Sequence, residues 1–138
     1  MGASEKKPGT GGVGIVTNKT LGEKVKCYIQ YNDRIILVKF KTKPKDTTVV
    51  EVYMPTTNSS EEELEKIYEN LNRLIENVKG KENLIVMGDW NTIEGEEKVK
   101  NLTGDYGLGN RNDRGDGLFC AKYKLIVTNT YFNHHERR

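Results

Sequence analysis

Asn83-Leu84-Ile85-Val86-Met87-Gly88-Asp89-Trp90-Asn91 joins an apolar run to a cluster of polar turn formers. From Leu84 to Met87 the residues are apolar without alternation, the pattern of a strand buried on both faces. The run stops at Gly88, and Asp89 and Asn91 follow at once. Their side chains fall just past the carboxyl end of that strand, where α/β folds place ligand groups. Asp89 can accept protons or hydrogen bonds, and Asn91 offers a carbonyl and an amide. A phosphate-ester hydrolase needs such groups to hold water and a metal-bound phosphate. Gly, Asp and Asn are also turn formers, so the local residues alone fit a simple turn equally well.

Immediately upstream lies the clearest helix. Ser60 and Glu63 have the spacing of a capping box. Leu64, Ile67, Tyr68, Leu71, Leu74, Ile75 and Val78 recur at three- and four-residue steps, which makes one wide apolar stripe. Gly80 supplies the stop. The other helix face is Glu, Lys, Asn and Arg, so this helix belongs on the outside of a sheet.

Further upstream, Lys24 to Tyr31, Ile35 to Lys41 and Thr47 to Met54 read as strands, with turns at Asn32-Asp33 and Lys43 to Asp46. Val13 to Thr17 is a shorter strand candidate, and Met1 to Gly12 a flexible tail. The antiparallel meander followed by helix and buried strand gives an α/β class. Downstream, Thr92 to Arg114 is a polar loop rich in turn formers, a length usual for functional loops. Asp116 to Lys124 is a helix candidate with Leu118, Phe119 and Tyr123 inward, and Leu125 to Thr128 a strand candidate.

The 138 residues suit one domain. Twenty-two Lys and Arg against 20 Asp and Glu leave a charge of +2, which permits a nucleic-acid partner without requiring one. Cys27 and Cys120 have no metal-ligand spacing, and a reducing intracellular compartment, nuclear or cytoplasmic, is expected. No apolar run marks a signal peptide or a membrane span. Asn18, Asn58 and Asn101, which begin Asn-x-Ser/Thr triplets, are accordingly expected to stay unglycosylated.

The Gly88-Asp89-Trp90-Asn91 run resembles the Gly-Asp-Phe/Trp-Asn signature of the endonuclease/exonuclease/phosphatase superfamily, the fold of DNase I. Val52-Tyr53-Met54-Pro55-Thr56 resembles its strand-end Tyr-x-Pro. Gly107-Leu108-Gly109-Asn110 with Asn112 and Gly115 resembles its Gly-x-Gly…Asn-x-x-Gly loop. Phe119-Cys120 and Leu125 to Phe132 resemble the helix and the Asn-Thr-x-Phe strand that follow. The tail, His135 to Arg138, resembles a His-x-Arg-Arg motif shared with the endonuclease domains of non-long-terminal-repeat retrotransposons and related host proteins. The likeness covers Gly12 to Arg138.

The resemblance implies part of a four-layered α/β/β/α sandwich, mainly its first sheet with one outer helix, over residues 13–138. It implies phosphodiester hydrolysis with Mg²⁺, Mn²⁺ being the alternative ion, and DNA as partner. Asp89 would activate water and contact the metal, Asn91 would hold the phosphate, and Tyr53 would donate its phenol to it. Asn129, Asn112, Lys39 and Lys41 would contact substrate. Trp90 is expected to pack, and His134 and His135 to be exposed or partly packed, rather than react.

The family's metal-binding Glu, its late Asp and its Ser-Asp-His motif have no counterpart in this sequence. A weak or inactive hydrolase is therefore expected, with a second chain as one way to complete the sandwich. Two other readings stand beside it. One is a catalytically dead remnant that binds nucleic acid or protein through Lys24, Lys26, Arg34, Lys39, Lys41, Lys43 and Lys45, a run that fits an ordinary solvated face equally well. The other is a small-phosphoester phosphatase of the same superfamily.

Overall fold

Alternating β-branched residues and one strongly amphipathic helix build the architecture. A computed structural model describes residues 12–56, 59–78, 80–91, 99, 101–107 and 116–133. The chain divides into two compact units, Met1–Trp90 and Asn91–Arg138.

The first unit holds a four-stranded sheet in the order β1-β2-β3-β4: β1 Val25–Gln30, β2 Ile35–Phe40, β3 Thr47–Tyr53 and β4 Asn83–Asp89. The first three strands run antiparallel, as the meander predicts. β4 is parallel to β3, because helix α2 (Glu61–Val78) carries the chain back before β4 begins. The turn at Asn32-Asp33 is closed by the Asn32 side chain, which accepts from the Arg34 N–H at 2.8 Å.

Register assigns the faces. Thr48, Val50 and Val52 of β3 share one face with Ile35 and Leu37 of β2, and all are buried. Ile67, Leu71, Leu74, Ile75 and Val78 form the buried stripe of α2 and complete this core. Each such side chain contributes about 1.5–3 kcal/mol through burial. Half of the expected capping box is present: the Glu63 N–H donates to Ser60 Oγ at 3.3 Å, while the Glu63 carboxylate pairs with Arg34 at 3.0 Å. Gly80 takes a left-handed φ of +79° just past the helix.

The opposite face is less covered. Val38 and Phe40 are buried there, but Tyr28, Ile85 and Met87 stay exposed, at 71%, 49% and 43%. This corrects the expectation of a strand buried on both faces. β4 is an edge strand, and only Leu84 and Val86, on the α2 side, are partly withdrawn from water. β1, the other edge, is exposed along its whole length, and its register slips between Val25 and Cys27. Val13 to Thr17 forms no strand; Asn18 instead caps a single helical turn, α1 Lys19–Gly22, accepting from the Leu21 N–H at 2.8 Å.

In the second unit, α3 Asp116–Tyr123 forms as expected, with Phe119 and Tyr123 buried in an edge-on pair whose ring centroids are 5.2 Å apart. Leu125 to Thr128 does not become a strand. Val127 makes one isolated parallel bridge to Thr103, and the chain then winds into a 3-10 turn, Thr128–Tyr131. Buried Thr130 is the reason: its hydroxyl donates to the Val127 carbonyl at 2.6 Å and accepts from the Gly104 N–H at 2.7 Å. These local bonds compete with extended pairing. Cys27 and Cys120 are free thiols, and no described helix is long and apolar enough to cross a membrane.

Candidate functional site

The parallel register of β3 and β4 places Tyr53 directly beside Asp89 at the carboxyl ends of both strands. Neighbouring strands lie about 4.8 Å apart, so the two side chains rise from adjacent positions on one face. The Met54 N–H donates to the Asp89 carbonyl at 2.8 Å, which fixes the two strand ends to each other. Gly88 makes this approach attainable: it sits opposite Val52 with φ +134°, and any Cβ there would strike the Val52 backbone.

A third residue joins this row, and the sequence reading did not place it there. The Tyr53 N–H donates to the Arg34 carbonyl at 2.9 Å, so Arg34 faces Tyr53 across β2 and β3. Its guanidinium lies 5.3 Å from the Tyr53 ring centroid and forms a cation–π contact. The same group pairs with Glu63 at 3.0 Å, tying the row to the start of α2. Arg34, Tyr53 and Asp89 therefore line one end of the sheet. The signal in the sequence was the strand turn at Asn32-Asp33, but the register that aligns Arg34 with Tyr53 is not local.

Glu51 lies on the same face, one row behind. Its register partner is Met87 and its cross-strand neighbour Ile36. One carboxylate oxygen, Oε2, is buried without a hydrogen-bond partner among the described residues, and burial pushes the Glu51 carboxyl above its ordinary value.

Lys39 and Lys41 fall at the other end of the sheet. Lys39 pairs with Thr48 in register, and Lys41 lies one step beyond Phe40, which opposes Thr47. At ~3.3 Å per residue this puts them about 17–23 Å from the Tyr53–Asp89 row. Lys39 is also engaged: its ammonium donates to one Glu82 carboxylate oxygen, and Thr48 donates to the other. The hydrogen bond from Lys39 holds the Glu82 carboxyl below its usual range, and Glu82 raises Lys39 in return.

Asn91 opens the second unit in a left-handed conformation, φ +50°, which asparagine tolerates well. Asn129 is exposed on the 3-10 turn that Thr130 holds. Asn112, the Gly-x-Gly loop beyond Gly107 and the tail from His134 lie outside the described residues.

Among the described residues, no group of three or more His, Cys, Asp or Glu side chains could hold a metal ion. Asp89 is the carboxylate at the strand ends, and Glu51, one row back, is the other acid on that face. A hard cation takes six or more oxygen ligands, so the described side chains do not by themselves fit a metal centre.

The mixed four-stranded sheet, the β3-α2-β4 crossover and the Tyr53–Asp89 row are consistent with an α/β fold of the DNase I kind. The chain belongs to the endonuclease/exonuclease/phosphatase family, which it matches over residues 4–137. Members of that family generally use divalent metals. It is 37% identical over 129 residues to craniofacial development protein 2 of Bos taurus and 35% identical over 129 residues to that of Tragulus javanicus. Each match covers 92% of this chain and 22% of the relative, so the chain spans about a fifth of the length of the curated relatives it matches.

Proposed function

We propose that the Arg34–Tyr53–Asp89 row is the phosphodiester-hydrolysing end of this chain, with DNA as the substrate class. The observation that carries this reading is the register pairing of Tyr53 with Asp89 in a chain of this family. Asp89 accepts a proton or hydrogen bond from the attacking water. The Tyr53 phenol donates to a phosphate oxygen. Arg34 holds the Tyr53 ring from the side and adds positive charge where the phosphate would sit. The phosphate-contact roles of Asn91 and Asn129 rest on the family resemblance and are tested separately by Asn→Ala substitution. Mg²⁺, with Mn²⁺ as the alternative, is the proposed ion. The described side chains supply too few ligands to hold it by themselves.

The substrate class is tested by offering supercoiled plasmid and a small phosphomonoester side by side in Mg²⁺. Plasmid nicking without release of inorganic phosphate from the monoester is expected. The reverse preference assigns the chain to small phosphoesters. A second reading, nucleic-acid binding without cleavage, is favoured by the absence of a three-ligand cluster among the described residues. Salt-sensitive DNA binding by a chain that never nicks would establish it.

A further inference from the structure

The end of the sheet opposite Asp89 is rich in exposed lysine. Lys24 and Lys41 face each other there, joined by the Lys41 N–H donating to the Lys24 carbonyl at 2.8 Å. Lys43 and Lys45 lie on the adjoining turn, and Lys81 enters β4 from the same end. All five are exposed.

Two of the acids at this end are already committed, while exposed Glu23 lies next to Lys24. Asp46 pairs with Lys26 at 2.6 Å, and Glu82 pairs with Lys39. Among the described residues, Lys24, Lys41, Lys43, Lys45 and Lys81 have no carboxylate partner.

The turn that presents Lys43 and Lys45 is held in shape. The Thr42 hydroxyl lies 2.5 Å from the Lys45 carbonyl, to which it donates, and 2.8 Å from the Thr47 hydroxyl. The Asn83 N–H donates to the Asp46 carbonyl at 2.9 Å, which fixes the turn to β4. Like charges directly opposite each other weaken a strand pair, so the facing Lys24 and Lys41 bring no folding benefit. Lysines on an edge strand discourage aggregation. That explains Lys24 and Lys26 on and beside β1, but not Lys43 and Lys45, which lie off the edge.

We propose that this lysine end is a second, non-catalytic binding surface for the phosphate backbone of a nucleic acid, about 20 Å from the hydrolytic row. Ammonium groups are point charges that donate and never accept, so the surface reads backbone charge rather than base sequence. A bilayer is the poorer fit, because the exposed apolar side chains described beside these lysines, Leu21 and Val25, are only 37% and 38% exposed and offer little surface to enter it. The surface reassigns Lys41 from the reacting phosphate to a remote one and removes Lys39, which Glu82 occupies. It holds nucleic acid whether or not the Asp89 end cuts it.

The test is fluorescence anisotropy of a labelled oligonucleotide in EDTA across a KCl series. It compares the wild-type chain with the triple variant Lys41→Gln, Lys43→Gln, Lys45→Gln. The control variant Lys66→Gln, Lys122→Gln, Lys124→Gln removes the same charge elsewhere. Circular dichroism verifies that all three are folded, which exposed lysines allow. The first triple variant is expected to lose at least tenfold in affinity. Its log–log salt slope should shrink by about 2–3, at ~0.9 per lost phosphate contact. The control should change less than threefold. Equal losses in the two triple variants would overturn the proposal, as would preferential binding to phosphatidylserine vesicles over the oligonucleotide.

Discussion

Replacing Gly88 by alanine attacks the point where fold and site meet. A methyl carbon built there lies 1.8 Å from the Val52 carbonyl oxygen, 2.7 Å from its carbonyl carbon and 2.8 Å from its nitrogen. The obstacle is backbone in the penultimate pair of the β3–β4 ladder, so no side chain can swing aside. Restoring ordinary contact requires the strands to part by roughly 1.5 Å. The φ of +134° adds strain for any residue with a Cβ. Backbone strain of about 1–3 kcal/mol and overpacking of similar size sum to about 2–6 kcal/mol. Gly80→Ala is the natural comparison, because Gly80 also has positive φ, +79°, but open space around it. That substitution costs only the left-handed penalty, about 1 kcal/mol. Urea unfolding followed by the fluorescence of Trp90, the single tryptophan, reports on both. With a slope near 2 kcal/mol per M, the midpoint should fall by about 2 M for Gly88→Ala and about 0.5 M for Gly80→Ala. Equal shifts for the two variants would refute the close-approach argument and leave conformational strain as the whole effect.

Three other perturbations probe separate parts of the account. Glu51→Gln should stabilise the chain by about 1 kcal/mol at pH 7, because it removes a charge from a half-buried carboxylate with an unpartnered oxygen. The folded Glu51 holds its proton more tightly than the unfolded one, so its cost appears as pH rises through the raised value; the gain should vanish below the ordinary glutamate range in pH-dependent urea titrations. Glu82→Gln should cost about 1–2 kcal/mol at neutral pH by breaking charge-assisted bonds from Lys39 and buried Thr48. Because the folded Glu82 carboxyl is held low, that contribution is present above the ordinary glutamate range and lost as pH falls through the folded value, so wild type and variant should converge in acid. Leu71→Ala, at a fully buried position of the α2 stripe, should cost about 2–5 kcal/mol in the same assay.

Periodic segments were legible in the sequence. The α2 stripe and the β-branched runs of β2 and β3 repeat often enough to fix element type, and the parallel return of β4 follows from the helix between. Val13 to Thr17 misled because its apolar residues lie among glycines and find no strand partner. Leu125 to Thr128 misled because one threonine hydroxyl, at position 130, rewards a tight turn over extension. The burial of Ile85 and Met87 was overread: an uninterrupted apolar run says what a strand tolerates on both faces, and here the described structure covers one. Within the candidate site, Tyr53 and Asp89 could be read from strand ends and motif. Arg34 could not, because it meets Tyr53 only through the β2–β3 register. The engagement of Lys39 was equally hidden, since Glu82 lies 43 residues further along the chain.

Asp89 and Tyr53 are proposed to form one hydrolytic row. The direct measurement is Mg²⁺-dependent nicking of supercoiled plasmid by the purified 138-residue chain, beside Asp89→Ala and Tyr53→Phe. Slow nicking is expected from the wild type, abolished by Asp89→Ala and reduced about tenfold or more by Tyr53→Phe, in keeping with the loss of one positioned donor. Nicking that survives Asp89→Ala, or none at all from a chain shown to be folded, would contradict the claim.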